Sequence, residues 1–215
     1  MQEKARKQVT DQPEWKKAWD NVVFRRKIIA SSILLIIIIC TLPSFFAYIE
    51  QREGAYLHDL ILQAIPAADV SLPTFLIIWT MSGLVIVRML QNPDFALLML
   101  SSFTLLCIAR MVSITMVPLT PPDGLIRLND PITSMVYGGK DKFITKDLFF
   151  SGHTSNMYLM YLCLTRKPDK YFALMATFAV GILVLVQHVH YTVDVIAAFF
   201  FTYIIYRVSK INSRY

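Results

Sequence analysis

Along this chain, long apolar runs alternate with short clusters of charge. The runs fall at residues 28–49, 72–90, 95–117, 151–164, 171–189 and 191–208. A helix rises about 1.5 Å per residue, so about 20 apolar residues cross a hydrocarbon core about 30 Å thick. The pattern therefore predicts an all-α polytopic membrane protein, with six transmembrane helices in a bundle. Pro43 falls near the end of the first run, where a kink is expected. Asn92-Pro93 breaks the chain between the second and third runs, because the residue before proline is pushed out of the helical region. The fourth run is the shortest, and Thr165-Arg166-Lys167-Pro168-Asp169-Lys170 ends it.

Polar segments divide the chain further. A basic tail at 1–27 and a short basic tail at 209–215 flank one membrane domain at 28–208. Trp15 and Trp19 are four apart beside Lys16 and Lys17, so a helix there would lie at the interface of an anionic leaflet. The plainer reading is a solvated tail. The tail is too long and too charged for the n-region of a cleavable signal, and no small-residue cleavage site follows the first apolar run. Between the third and fourth runs, 33 residues (118–150) carry Pro118, Pro121, Pro122, Asp123-Gly124, Asp130-Pro131 and Gly138-Gly139. Structureless connections of that length are functional or disordered.

Composition agrees with the pattern. Hydrophobic residues make up 55% of the chain, charged residues 17%, and the mean hydropathy is +0.50, which excludes an average soluble domain. The net charge of +6 could suggest nucleic acid, but the basic residues gather at the ends of the apolar runs. With the N-terminus inside, fifteen basic residues flank inner segments and five sit in outer loops. That asymmetry predicts both termini in the cytoplasm. The 118–150 loop and the starts of the fourth and sixth runs would then face the periplasm, lumen or exterior. Cys40, Cys107 and Cys163 each lie inside an apolar run and read as packing residues rather than a disulfide framework.

Two polar clusters carry the candidate chemistry. His190 and Asp194 are four apart, so one helix face would hold both. A carboxylate beside an imidazole fixes its tautomer and prepares it as nucleophile or base. An acid three residues into an apolar helix is costly unless paired, which makes Asp194 a functional candidate. The bland alternative is a buried structural pair. His153 follows Ser151-Gly152 at the start of the fourth run. Ser151 is a candidate cap, and the helix start would favour an anionic group beside His153. If the two runs are antiparallel helices, both clusters meet at one membrane face. Arg110, inside the third run, is a candidate for binding a lipid phosphate, or else a structural partner for an acid such as Asp194. His58 reads as a loop histidine. His188, His190, His153 and Asp194 offer ligand types that suit zinc. Alternate helix positions point about 200° apart, however, so His188 and His190 would not share a face, and no metal is expected.

Ser151-Gly152-His153-Thr154 and His190-Tyr191-Thr192-Val193-Asp194 resemble the two signature motifs of the sphingomyelin synthase family. That family lies within the lipid phosphatases and phosphotransferases related to type 2 phosphatidic acid phosphatase. Ile114-Thr115-Met116 followed by Pro118 and Leu119 is similar to that family's segment at the end of the third span, and Asp147 stands where it has an acid. The resemblance covers residues 72–208. Thr145-Lys146 stands where animal members have Cys-Gly, and Arg110 is offset from the family's arrangement.

The resemblance implies a catalytic triad of His153, His190 and Asp194, with Arg110, Ser151 and Asp147 binding substrate. It implies transfer of phosphocholine or phosphoethanolamine from a glycerophospholipid to ceramide or a related lipid alcohol, through a phosphohistidine and without a cofactor. The neighbouring possibility is a lipid phosphatase or phospholipase with water as acceptor. A different class, a non-catalytic membrane scaffold or a transporter, would not need a His–Asp pair opposite a second histidine.

Overall fold

The structure is a computed structural model that describes residues 14–128 and 144–213. Lys4, Arg6 and Lys7 of the basic tail, the Asp130-Pro131 and Gly138-Gly139 turns, Lys140, Lys142 and Arg214 lie outside the described residues. Those described form eight helices: α1 (Glu14–Asp20), α2 (Val22–Glu50), α3 (Leu60–Gln63), α4 (Ser71–Gln91), α5 (Pro93–Met116), α6 (Gly152–Cys163), α7 (Lys167–Val186) and α8 (Thr192–Asn212). Five of them, α2, α4, α5, α7 and α8, are long and apolar enough to cross a membrane. The protein is all-helical and polytopic.

The fourth apolar run folds differently from a full span. As α6 it has 12 residues, about 18 Å of helix, which is short of the hydrocarbon thickness. It lies inside the bundle instead, touching α4, α5, α7 and α8. Gly152, Thr154, Ser155, Met157, Leu159, Met160 and Cys163 on it are all buried. The main core gathers around this helix, with Phe95, Met99 and Leu106 of α5, Val180 and Val184 of α7, and Val195 and Ala198 of α8. Buried area is worth about 25 cal/mol per Å² only against water. Within a bilayer, close packing rather than water exclusion favours this arrangement.

Local chemistry sets the helix ends. The Asn21 side chain accepts from the amides of Val23 and Phe24, so α2 starts six residues before the expected position and takes Arg25, Arg26 and Lys27 into the helix. Asn92 caps α5 through the Phe95 amide, with Pro93 in the first turn, where its missing N–H costs nothing. Pro43 lies within α2 without ending it. α1 forms, but its tryptophans part company. Trp15 donates its indole N–H to the Leu90 carbonyl at 2.7 Å and packs edge-on against Phe24, whereas Trp19 stays exposed.

The antiparallel helices gather two polar layers at opposite ends of the bundle. At the end remote from His190, Arg88 of α4 binds Asp169 of α7 through two contacts of 2.7 and 3.1 Å, and Lys27 reaches the Asn212 carbonyl. At the other end, loops are tied together residue by residue. Arg52 donates to the carbonyls of Ile114 and Thr115 at the end of α5. Glu50 accepts from the amides of Thr145 and Lys146. Ala55 and Leu119 pair as an isolated parallel bridge. A Cβ on Gly54 would lie 2.4 Å from the Leu119 backbone, so this crossing requires glycine.

Asp59 joins two helices there. Its carboxylate caps α3 through the Ile61 and Leu62 amides and also accepts from Thr192 N at 2.6 Å and Thr192 Oγ1 at 3.1 Å, at the start of α8. Burial alone would raise its pKa; the donated hydrogen bonds outweigh that and hold it below the usual carboxylate range. A lowered folded pKa contributes stability that is present above the ordinary carboxylate pKa and is lost as pH falls through the folded one. Asp59→Ala should therefore lower the thermal midpoint at pH 7, and the gap from the parent should close as the pH drops below about 3.8. Thermal unfolding in detergent across pH 7 to 3 measures this; a gap independent of pH would refute it.

Candidate active site

The starts of α6 and α8 are joined directly. Ser151 caps α6, its Oγ accepting from Thr154 N at 3.4 Å, and its own amide donates to the Asp194 carbonyl at 3.0 Å. His153, one residue into α6, thereby faces the residues that open α8. Its ring lies 6.2 Å from that of His190, centroid to centroid, in an edge-to-face arrangement. Phe75 of α4 packs against His153 at 6.5 Å.

His190 and Asp194 do meet, by a route other than a shared helix face. α8 begins at Thr192, so His190 precedes the helix. The Asp194 side chain bends back past the N-terminus, taking the Tyr191 amide at 3.1 Å and His190 Nδ1 at 3.4 Å through the same oxygen, Oδ2. This is the reach-back half of a capping arrangement, with an imidazole as a second partner. Contact through Nδ1 leaves Nε2 on the opposite edge of the ring. Asp194 has no exposed surface and His190 only 3%.

Arg110 does not pair with Asp194. Its Nη2 lies 2.6 Å from Asp147 Oδ1, and its Nε donates to the Phe150 carbonyl at 3.1 Å. Ser113, one turn on, donates to the Phe149 carbonyl. α5 thus clamps two successive carbonyls just before the α6 cap, where Phe149 holds a φ of +45° that a bulky residue rarely adopts. The guanidinium rests against Gly152: a Cβ there would lie 2.1 Å from Nη1. Glycine at this place admits the arginine to the helix start. Burial would raise the pKa of Asp147, but the Arg110 charge and hydrogen bond reverse that and hold the carboxyl below its usual range.

His188 stands outside the group. Its ring nitrogens face the carbonyls of Asp123 at 2.8 Å and Ile65 at 2.9 Å, so it ties two loops together. Among the described residues, no group of three or more His, Cys, Asp or Glu is placed to hold a metal ion. His58 is exposed and packs edge-on against Tyr56. Phe75 and Ser113 were missed in the sequence. Ser113 carried a signal, since it lies three residues from Arg110 and shares its face; Phe75 is one aromatic among many in an apolar run.

Arg110 rests against the α6 N-terminus at Gly152, and the His153 ring that follows lies 6.2 Å from that of His190; a guanidinium and a helix N-terminus are groups that suit a phosphate. Residues 146–211 match the sequence profile of the family described as PAP2 superfamily C-terminal. The match covers less than half of the chain, from Lys146 through α6, α7 and most of α8, and excludes Arg110. It supports a relationship to the superfamily of type 2 phosphatidic acid phosphatase, and with it a lipid phosphatase or phosphotransferase type of function. No curated protein matches the chain.

Gly152→Ala tests the packing of arginine on glycine. The added methyl group should displace Arg110 and reduce lipid phosphatase or phosphotransferase turnover about 100-fold, the scale expected when a positioning group moves by about 1 Å. Elution from a sizing column should not change. Adding Arg110→Ala to Gly152→Ala should cost little more, because both remove the same interaction; fully additive losses would contradict the coupling.

Proposed function

We propose that the protein is a phospholipid headgroup phosphotransferase of the sphingomyelin synthase kind. It would move phosphocholine or phosphoethanolamine from a glycerophospholipid to ceramide or a related lipid alcohol. The observation that carries the reading is the pair of histidine rings 6.2 Å apart, with Asp194 behind His190 on its Nδ1 edge. That separation supports both imidazoles acting on one phosphorus.

In this reading Asp194 holds the proton on Nδ1 of His190, so that Nε2 bears the lone pair. Nε2 attacks phosphorus and forms a P–N bond as the P–O bond to the diacylglycerol oxygen breaks. His153, protonated, gives its proton to the departing oxygen, so diacylglycerol leaves neutral. The acceptor hydroxyl then attacks the same phosphorus, His153 takes its proton back, and the P–N bond breaks. Arg110 and the first-turn amides of α6 balance the charge on the phosphoryl oxygens. Asp147 holds Arg110 in place, and Ser151 sets the helix start. The excess of basic residues around the opposite loops supports an exoplasmic site with cytoplasmic termini.

The test uses purified protein in liposomes containing headgroup-labelled phosphatidylcholine or phosphatidylethanolamine, with and without ceramide. Labelled sphingolipid that forms only with ceramide is the expected result. Soluble labelled phosphate or phosphoalcohol at the same rate without ceramide would replace the transferase reading with a hydrolase. His190→Ala should lower turnover by about 1,000-fold or more; full turnover in that variant would overturn the mechanism for either acceptor.

A further inference from the structure

The last three turns of α8, far from His190, carry a second concentration of polar groups. Tyr203, Tyr206, Arg207, Lys210 and Ile211 line a cleft of about 350 Å³. Arg207 donates to Tyr203 Oη at 2.8 Å and Lys210 to Tyr206 Oη at 3.1 Å. Each cation also lies over the ring of its tyrosine, at 5.7 and 5.4 Å from the centroids. The spacing of 203, 206, 207 and 210 is that of one helix face. Since each phenol oxygen accepts from a cation, its own proton remains to be donated. Two cations and two phenol donors then converge on one cleft, and none of the five lining residues is acidic. Such a set suits an anion carrying several oxygens.

Its position selects the source of that anion. Asp194 and Lys210 are sixteen positions apart on one helix, about 24 Å along its axis, so the cleft lies toward the end of the bundle remote from His190. Below it Ile196 and Phe200, and beside it Ile204 and Val208, form an exposed apolar stripe continuous with Tyr203 and Ile211. An acyl chain fits the stripe while a headgroup phosphate fits the cleft. Tyrosines and long cations at that depth match the interfacial level of a bilayer.

We propose that this end of α8 is a binding site for an anionic phospholipid of the leaflet opposite the candidate active site. It is a site of lipid attachment, separate from any turnover at His190. A phosphate without acyl chains would lack the stripe and would bind weakly.

The test is native mass spectrometry of the full-length protein, released from detergent containing equal amounts of phosphatidylglycerol and phosphatidylcholine. Phosphatidylglycerol adducts should predominate. Arg207→Gln with Lys210→Gln should cut them about 25-fold, at roughly fivefold per basic residue, with phosphatidylcholine adducts unchanged. Tyr203→Phe with Tyr206→Phe, which keeps both charges, should give a smaller loss. Equal retention of the two lipids, or a double glutamine variant that binds as before, would overturn the proposal. So would millimolar inorganic phosphate that displaces the lipid, since that would make the cleft a site for a soluble anion. The readout is binding, so it stands or falls apart from the catalytic reading.

Discussion

A carboxylate with no exposed surface at the start of a membrane helix has to be met by donors, because desolvating a lone charge costs far more than the few kcal/mol that hold a protein folded. Asp194 is in that position, and the polar end of the bundle is arranged around it. Oδ2 takes the Tyr191 amide and His190, Oδ1 is buried with no hydrogen-bond partner among the described residues, and the Asp194 carbonyl takes the Ser151 amide. One residue therefore sets the turn into α8, the orientation of an imidazole, and the register between α8 and α6. Shifting α6 by a turn, about 5.4 Å, would break the last contact and carry His153 away from His190.

The remaining polar contacts keep that junction rigid. Asp59 holds the first amide of α8, and the Gln187 side chain donates to Ser71 Oγ at 2.7 Å, pinning the end of α7 to the start of α4. Arg110 and Ser113 fix the carbonyls that precede the α6 cap. Asp59 satisfies an amide that the start of α8 leaves without a partner, while Arg110 and Ser113 satisfy loop carbonyls, and near a bilayer water meets such needs less readily. The short α6 fits the same scheme. Enclosed by four longer helices, it does not have to span the membrane, and its N-terminus is brought in to face α8.

Much of this was legible in the sequence, for physical reasons. Apolar runs long enough to cross a bilayer announce helices regardless of their neighbours, and five of the six expected runs take that form. The pairing of His190 with Asp194 was readable from a spacing of four, although it arises through a reach-back around the helix start. What sequence spacing could not supply was partnership across the fold. Arg110 and Asp147 are 37 positions apart, and Asp59 and Thr192 are 133 apart. Arg110 had an acid to find, and proximity along the third run did not say which. The limits of α2 and α8 moved outward because Asn21 caps one and tyrosines shield the cations of the other, so charges that read as tails lie within helices.

The proposed chemistry turns on His190 carrying the phosphoryl group. Acid quenching would cleave a P–N bond, so the direct measurement is alkaline quench of the purified protein with a phospholipid labelled at phosphorus, followed by peptide mapping. The account predicts an acid-labile, base-stable label on the peptide containing His190. That label should accumulate in His153→Ala supplied with a donor whose leaving group needs no proton, and be absent from His190→Ala. Label on another residue, or turnover with no labelled protein at any quench time, would contradict it.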